Sequence, residues 1–284
     1  MDLHAPGPRD VPALLARLVD DAALFAPSVA LLPVAVAAHL EARQRPHSGV
    51  LGFFLCPVSR LGELVGQLRA TPPEQPLAVS LVADTGLGGL PKAISIAQDN
   101  TNLLGVRMVE APASSDVDSN WLMTLTEFVP DDVVKVVEPR RGRPDWLDGV
   151  RRVAQWGCWP KLRCGGKSTE SFPSVDEVAE FLDVACASGR SFKATAGLQH
   201  AVRTHDEATG LTHHGLLNML VATARAVAGR DVRAALASTD TAALAAEAAA
   251  LGEAAARGVR QVFACYGAAN PNDPVSDLRR LGLL

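Results

Sequence analysis

The sequence predicts an α/β protein built as a single (β/α)8 TIM barrel with a C-terminal extension. Three observations carry this. Short runs rich in β-branched residues alternate with helical segments along the 284 residues, the pattern of parallel α/β folds. The chain holds about eight such units, and a barrel takes about 250 residues. Polar residues also recur at the C-terminal ends of the runs: Asp21, Asp84, Glu110, Glu138, Lys161, Arg163, Lys193, Thr195 and Asp240. A barrel gathers these ends into one ring. A doubly wound open sheet is the alternative, because periodicity does not show closure; against it, no GxGxxG follows the first strand.

The first strand is expected at Arg17 to Asp21, followed by a helix from about Pro33 to Arg43. Val50 to Cys56 forms the second strand, stopped by Pro57, with a helix from Arg60 to Arg69. Leu77 to Asp84 is the third, and Gly86, Gly88 and Gly89 follow it. The fourth is Leu104 to Glu110 and the fifth Val133 to Glu138, each stopped near a proline. Strands six and seven carry Lys161 and Lys193. The eighth is expected at Val232 to Asp240, and Thr241 to Ala256 then reads as an Ala-rich helix packed on the core. One domain spans 1–284, with 257–284 a tail that packs on the barrel without being needed by it.

Composition narrows the function. Hydrophobic residues make up 48% and charged residues 20%, which fits a globular chain. A net charge of −4 argues against a nucleic-acid binder, and a single tyrosine argues against a base-stacking platform. Five widely spaced cysteines without a CxxC suit a reduced, cytoplasmic protein. Met1 to Asp10 lacks the apolar core of a leader, and no apolar run suits a membrane span. The expected partner is a small anionic substrate; neither nucleic acid nor membrane is expected, and homo-oligomers are compatible with the chain. No motif asks for a cofactor.

Lys161 lies in Trp159-Pro160-Lys161-Leu162-Arg163-Cys164-Gly165-Gly166, and Lys193 in Ser191-Phe192-Lys193-Ala194-Thr195-Ala196-Gly197. One β/α unit separates them, so two ammonium groups fall on neighbouring parallel strands near the end where barrels do chemistry. Repulsion and burial would lower a lysine pKa toward that of a nucleophile, which suits a Schiff base on a carbonyl. The competing reading is that both bind a phosphate or carboxylate, in a positive pocket shared with Arg163. Gly165, Gly166, Thr195, Gly197, Ser238, Asp21 and Asp84 are further candidates for binding substrate. Glu138 ends its strand beside Lys161 and is a candidate proton acceptor.

Gly165-Gly166-Lys167-Ser168-Thr169 is not a Walker A loop, since Lys161 stands where its first glycine belongs. His200, just past strand seven, is a candidate acid or base. His205, His213 and His214 follow it without a metal-ligand spacing, and no metal is assigned. A metal-dependent lyase or hydrolase using Glu138 and His200 is one alternative function. A non-catalytic barrel acting as a scaffold is another.

The Lys-Leu-Arg-Cys-Gly-Gly and Lys-Ala-Thr-Ala-Gly motifs resemble the paired lysine strands of the class I deoxyribose-phosphate aldolases. The resemblance implies a TIM-barrel lyase in which Lys161, on the sixth strand, forms the imine and Lys193, on the seventh, lowers its pKa. Ala237-Ser238-Thr239 would then correspond to the family's phosphate-binding end. The family's fourth strand carries an aspartate where Arg107 aligns here, and the nearest acid is Glu110.

Overall fold

The computed structural model describes residues 11–113 and 117–284. Met1 to Asp10, read above for a leader, lies outside them. Seven parallel strands come first: β1 (Val19–Asp21), β2 (Leu51–Pro57), β3 (Leu77–Val82), β4 (Leu104–Pro112), β5 (Val134–Glu138), β6 (Trp159–Arg163) and β7 (Phe192–Thr195). An antiparallel hairpin follows, β8 (Thr204–Asp206) and β9 (Leu211–His213), and then β10 (Phe263–Ala268). β10 pairs with both β7 and β1, and β1 pairs with β2, so eight parallel strands close into a barrel.

Helices α1 (Leu32–Ala42), α2 (Leu61–Ala70), α3 (Leu90–Gln98), α4 (Ser119–Phe128), α5 (Trp146–Gln155), α6 (Val175–Ser188) and α7 (Leu216–Val227) alternate with the strands. Local chemistry sets their ends. Ser174 accepts the Glu177 amide while Glu177 caps the Ser174 amide, a reciprocal box that starts α6. Gly189, at φ 63°, stops α6 in the left-handed region that glycine enters freely. Apolar faces of the helices meet the outer faces of the strands in two large clusters, one around Phe181, Phe192 and Tyr266 and one around Phe54, Leu64 and Leu81.

The eighth strand is not where the sequence suggested. Residues 232–240 form a short helix, α8 (Arg233–Ala237), and a loop, so Ser238 and Asp240 do not end a barrel strand. Asp240 instead caps α9 (Thr241–Ala249) by accepting the Ala243 amide. The Ala-rich stretch is two helices, because Leu251 and Gly252 interrupt it before α10 (Glu253–Val262). Residues read as a dispensable tail supply β10, which closes the barrel, and then α11 (Asn272–Arg280).

Inside the barrel the lower layer is apolar: Phe53, Met108, Val136 and Cys265 pack together with Ala78, Val134, Trp159 and Ala264 beside them. Each of Phe53, Met108, Val136 and Cys265 is followed two residues later on its strand by Leu55, Glu110, Glu138 or Gly267. Side chains alternate across a strand, so those residues form the next layer toward the C-terminal end.

Candidate active site

β6 and β7 pair in register, with Lys161 directly opposite Lys193. Both are inward-facing and both are buried, yet their surroundings differ. Lys193 is fully enclosed. Its ammonium donates to Asp20 of β1 and to Glu110 Oε1 of β4 at 2.7 Å, and it lies 3.7 Å from Met108 Sδ. Burial alone would push its pKa down. The Asp20 and Glu110 charges outweigh burial and hold it well above the ordinary lysine value. The expectation that crowding lowers the lysine pKa therefore fails at Lys193, because carboxylates lie on both sides of it.

Asp20 is placed by its backbone neighbours. Its Oδ1 accepts the Phe53 amide at 2.7 Å, and its Oδ2 meets Lys193. A β-carbon at residue 52 would stand 2.0 Å from that Oδ1, so Gly52 on β2 makes room for the carboxylate. The sequence candidate on this strand was Asp21, one residue further on. Alternation turns Asp21 away from the barrel interior, where it accepts the Ala23 amide and meets buried His39 Nδ1 of α1 at 3.0 Å.

Glu110 stands between the lysines. Oε1 accepts from Lys193 and from Ser80 Oγ, each at 2.7 Å, while Oε2 faces Lys161 Nζ at 2.8 Å. Burial works to raise the carboxyl pKa, but the two lysine charges prevail and bring it down to about 2. Glu110 therefore stays ionised as the fixed anion of the site.

Lys161 is the outer lysine and keeps a small opening to solvent. Its partners are Glu110 Oε2 and, at 3.3 Å, Glu138 Oε2. Both contacts are ion pairs. Glu138 also accepts from Arg163 twice, Nε to Oε1 at 2.6 Å and Nη2 to Oε2 at 3.2 Å. Burial pushes the Glu138 carboxyl up, and Lys161 and Arg163 together take it below the ordinary range. Three cations and three carboxylates thus alternate across the cluster, Lys193, Lys161 and Arg163 against Asp20, Glu110 and Glu138. The positive pocket expected from the sequence is charge-balanced.

The other sequence candidates are spread around this cluster. Thr195 is buried at the end of β7, opposite Arg163 on one side and Gly267 on the other. Gly165 and Gly197 let two loop backbones touch, since a β-carbon at 165 would lie 2.7 Å from Gly197 Cα and one at 197 would lie 2.0 Å from the Cys164 carbonyl oxygen. A β-carbon at Gly166 would meet Ser171. Asp84 is exposed and accepts the Ser59 amide, which ties the loops after β2 and β3. Ser238 lies in the helical layer, where its carbonyl accepts Asn218 Nδ2 at 2.8 Å. His200 is largely exposed and turns to Asp277 of α11 at 3.6 Å, with no contact to Glu138.

Buried His214 has structural partners. His214 Nδ1 lies 3.1 Å from Arg203, which can only donate, so the other nitrogen carries the proton given to the Pro173 carbonyl. Burial keeps His214 neutral and lowers its pKa to about 4. Cys56, Cys158 and Cys164 are buried, and burial raises their thiols to about 12, 11 and 12. Such thiols are poor nucleophiles. Among the described residues, no group of three or more His, Cys, Asp or Glu side chains is placed to hold a metal ion. None of their helices is long and apolar enough to cross a membrane.

No family model matches this chain, and no curated protein sequence matches it. Asp20, Ser80 and Glu110 were not among the site residues chosen from the sequence. Glu110 was visible as a strand-end acid, and Asp20 as the inward member of an Asp-Asp pair once the strand's phase is known.

Proposed function

We propose that this barrel is a lyase of the class I aldolase type, holding a carbonyl substrate as an imine on Lys161. One observation carries the reading. Two lysines stand opposite each other on adjacent strands, and only Lys161 keeps an opening to solvent at the mouth. Lys193 is already saturated by acceptors, so releasing its ammonium would strand Asp20 and Glu110 as buried charges. Lys161 is ion-paired to Glu110 and Glu138, but each of those carboxylates keeps a second cation, Lys193 or Arg163, when Lys161 reacts.

The chemistry then divides among named groups. Lys161 gives a proton to Glu138, and its lone pair adds to the carbonyl carbon. The carbonyl oxygen leaves as water after taking one proton from the nitrogen and one from Glu138. The resulting iminium draws the electrons of a neighbouring carbon–carbon bond as that bond breaks. Lys193 and Glu110 keep a fixed field under the reacting nitrogen, in place of water that would have to reorient. The likeness to the deoxyribose-phosphate aldolases supports the same division, and Glu110 supplies on β4 the acid that family carries there.

The test is borohydride trapping with a panel of small aldehydes and ketones, followed by peptide mapping. A reduced adduct is expected on Lys161. Lys161→Arg should abolish it, since guanidinium keeps the charge and cannot form the imine. Lys193→Arg should leave an adduct at Lys161 with an altered pH dependence. If no carbonyl compound is trapped on either lysine, the reading is wrong and the pair is an anion clamp.

A further inference from the structure

We infer that the substrate is a 2-oxo acid, with a carboxylate on the carbon next to the carbonyl that reacts at Lys161. The inference rests on the imine reading of Lys161 and adds the group that Arg163 recognises.

Lys161 and Arg163 are two residues apart on β6, so both face inward. Both bind the same oxygen, Glu138 Oε2, at 3.3 and 3.2 Å. Lys161 Nζ and Arg163 Nη2 therefore cannot be more than about 6.5 Å apart, the sum of those two distances. A carboxylate oxygen on the imine carbon lies roughly 2.7 Å from the imine nitrogen, and an N–H···O bond adds about 2.9 Å. The guanidinium is therefore at most about 1 Å beyond the reach of that carboxylate, a gap that a small turn of its half-exposed side chain closes.

Arg163 also has donors to spare. Nε and Nη2 hold Glu138, while Nη1 has no partner among the described residues. The side chain is 43% exposed, so an incoming anion can reach it. Guanidinium and carboxylate match as planar forks, which suits a carboxylate held beside the reacting carbon. A carboxylate that binds Arg163 competes with Glu138 for that guanidinium, and a Glu138 released in this way is the base for the Lys161 proton. A distant phosphate would not engage an arginine this close to Nζ. The loop glycines that could cradle one, Gly165 and Gly197, are accounted for by the backbone contact between them.

The reaction class follows. For a 4-hydroxy-2-oxo acid, the C3–C4 bond breaks and its electrons form the C2–C3 double bond of an enamine, neutralising the iminium. The C4 hydroxyl loses its proton to a base, and C4 leaves as an aldehyde. The enamine takes a proton at C3, and water releases the shortened 2-oxo acid from Lys161. The reverse sequence condenses a 2-oxo acid with an aldehyde.

The experiment compares pyruvate with acetaldehyde as borohydride-trapping probes on the purified full chain, with adducts mapped to Lys161. A second readout is deuterium exchange at the pyruvate methyl group in heavy water, which reports the enamine without a partner aldehyde. Wild type should trap pyruvate at lower concentration than acetaldehyde and should catalyse the exchange. Arg163→Gln should raise the pyruvate concentration needed by about tenfold or more relative to that for acetaldehyde, the usual size of a charged hydrogen bond. Arg163→Lys should restore part of the preference. Acetaldehyde trapped on Lys161 with pyruvate no better, or both probes weakened alike by Arg163→Gln, would overturn the 2-oxo acid inference and leave the imine reading standing. If neither probe is trapped and no exchange occurs, both fall.

Discussion

The closed half of the cluster and its mouth half use the same chemistry to opposite ends. In the closed half, Lys193, Asp20, Glu110 and Ser80 satisfy one another by hydrogen bonds in a space that excludes solvent. In the mouth half, Lys161 is ion-paired to Glu110 and Glu138 beside a small opening, and Arg163 reaches solvent. The first arrangement fixes a charge, and the second leaves one ready to move. A buried ion pair is seldom a gain in stability over apolar packing, because desolvation offsets attraction. Its persistence in the closed half makes sense if the fixed charge serves the mobile one.

Removing single members should expose this contrast most sharply. Lys193→Met leaves two buried carboxylates without their common cation, and a loss of about 3–5 kcal/mol is expected by urea unfolding. Lys161→Met should cost distinctly less, because Glu110 keeps Lys193 and Glu138 keeps Arg163. Equal losses would mean the two halves are energetically alike.

Acid should probe the halves in sequence. The Glu110 carboxyl is held at about 2 against 4.5 in the unfolded chain. Its folded value is depressed, so its contribution is complete above about pH 4.5 and disappears as the pH falls toward 2, roughly 3 kcal/mol in all. His214 acts at milder acidity. Its folded value of about 4 lies below the ordinary 6.5, so stability should already decline from pH 6.5 toward 4. Urea midpoints measured against pH should show both slopes, with Glu110→Gln removing the lower and His214→Gln the upper.

A smaller effect tests how Asp20 is seated. Gly52→Ala places a methyl group against Asp20 Oδ1 and should cost about 1–3 kcal/mol as an overpacking change. A neutral outcome would mean that Asp20 can move without loss. The smallest stability change is expected at Arg163→Gln, under about 1 kcal/mol, since this pair is partly solvated. The same substitution should have a large effect on pyruvate trapping, which separates the mouth's role in binding from any role in folding.

Much of this was legible in the sequence. Alternating β/α segments gave the barrel, and one unit's separation put Lys161 opposite Lys193. What remained hidden was phase. Asp20 and Asp21 are chemically identical neighbours, and only the strand's inward face tells them apart. At β4 the pairing shifts between Val79 and Ser80, so Arg107 falls at an irregularity and counting by twos along the strand misleads. That is why Glu110, and not the residue at the aligned position, meets the lysines. The eighth strand was obscured by composition. Phe263–Ala268 has no β-branched residue, while Arg233–Ala237 is short and rich in alanine, the strongest helix former.

The order of the six charged residues along the chain has a consequence for assembly. Asp20 and Glu110 lie before α4 and are both anionic, whereas Glu138, Lys161, Arg163 and Lys193 lie after it and together carry two excess positive charges. A polypeptide cut between α4 and β5 would give two halves of four barrel strands each, with opposite net charge among their interior site residues. Each half alone would hold charges it cannot neutralise, and each supplies what the other lacks. Fragment complementation at that cut should therefore be selective for the matching half and weaken with added salt until the interior closes.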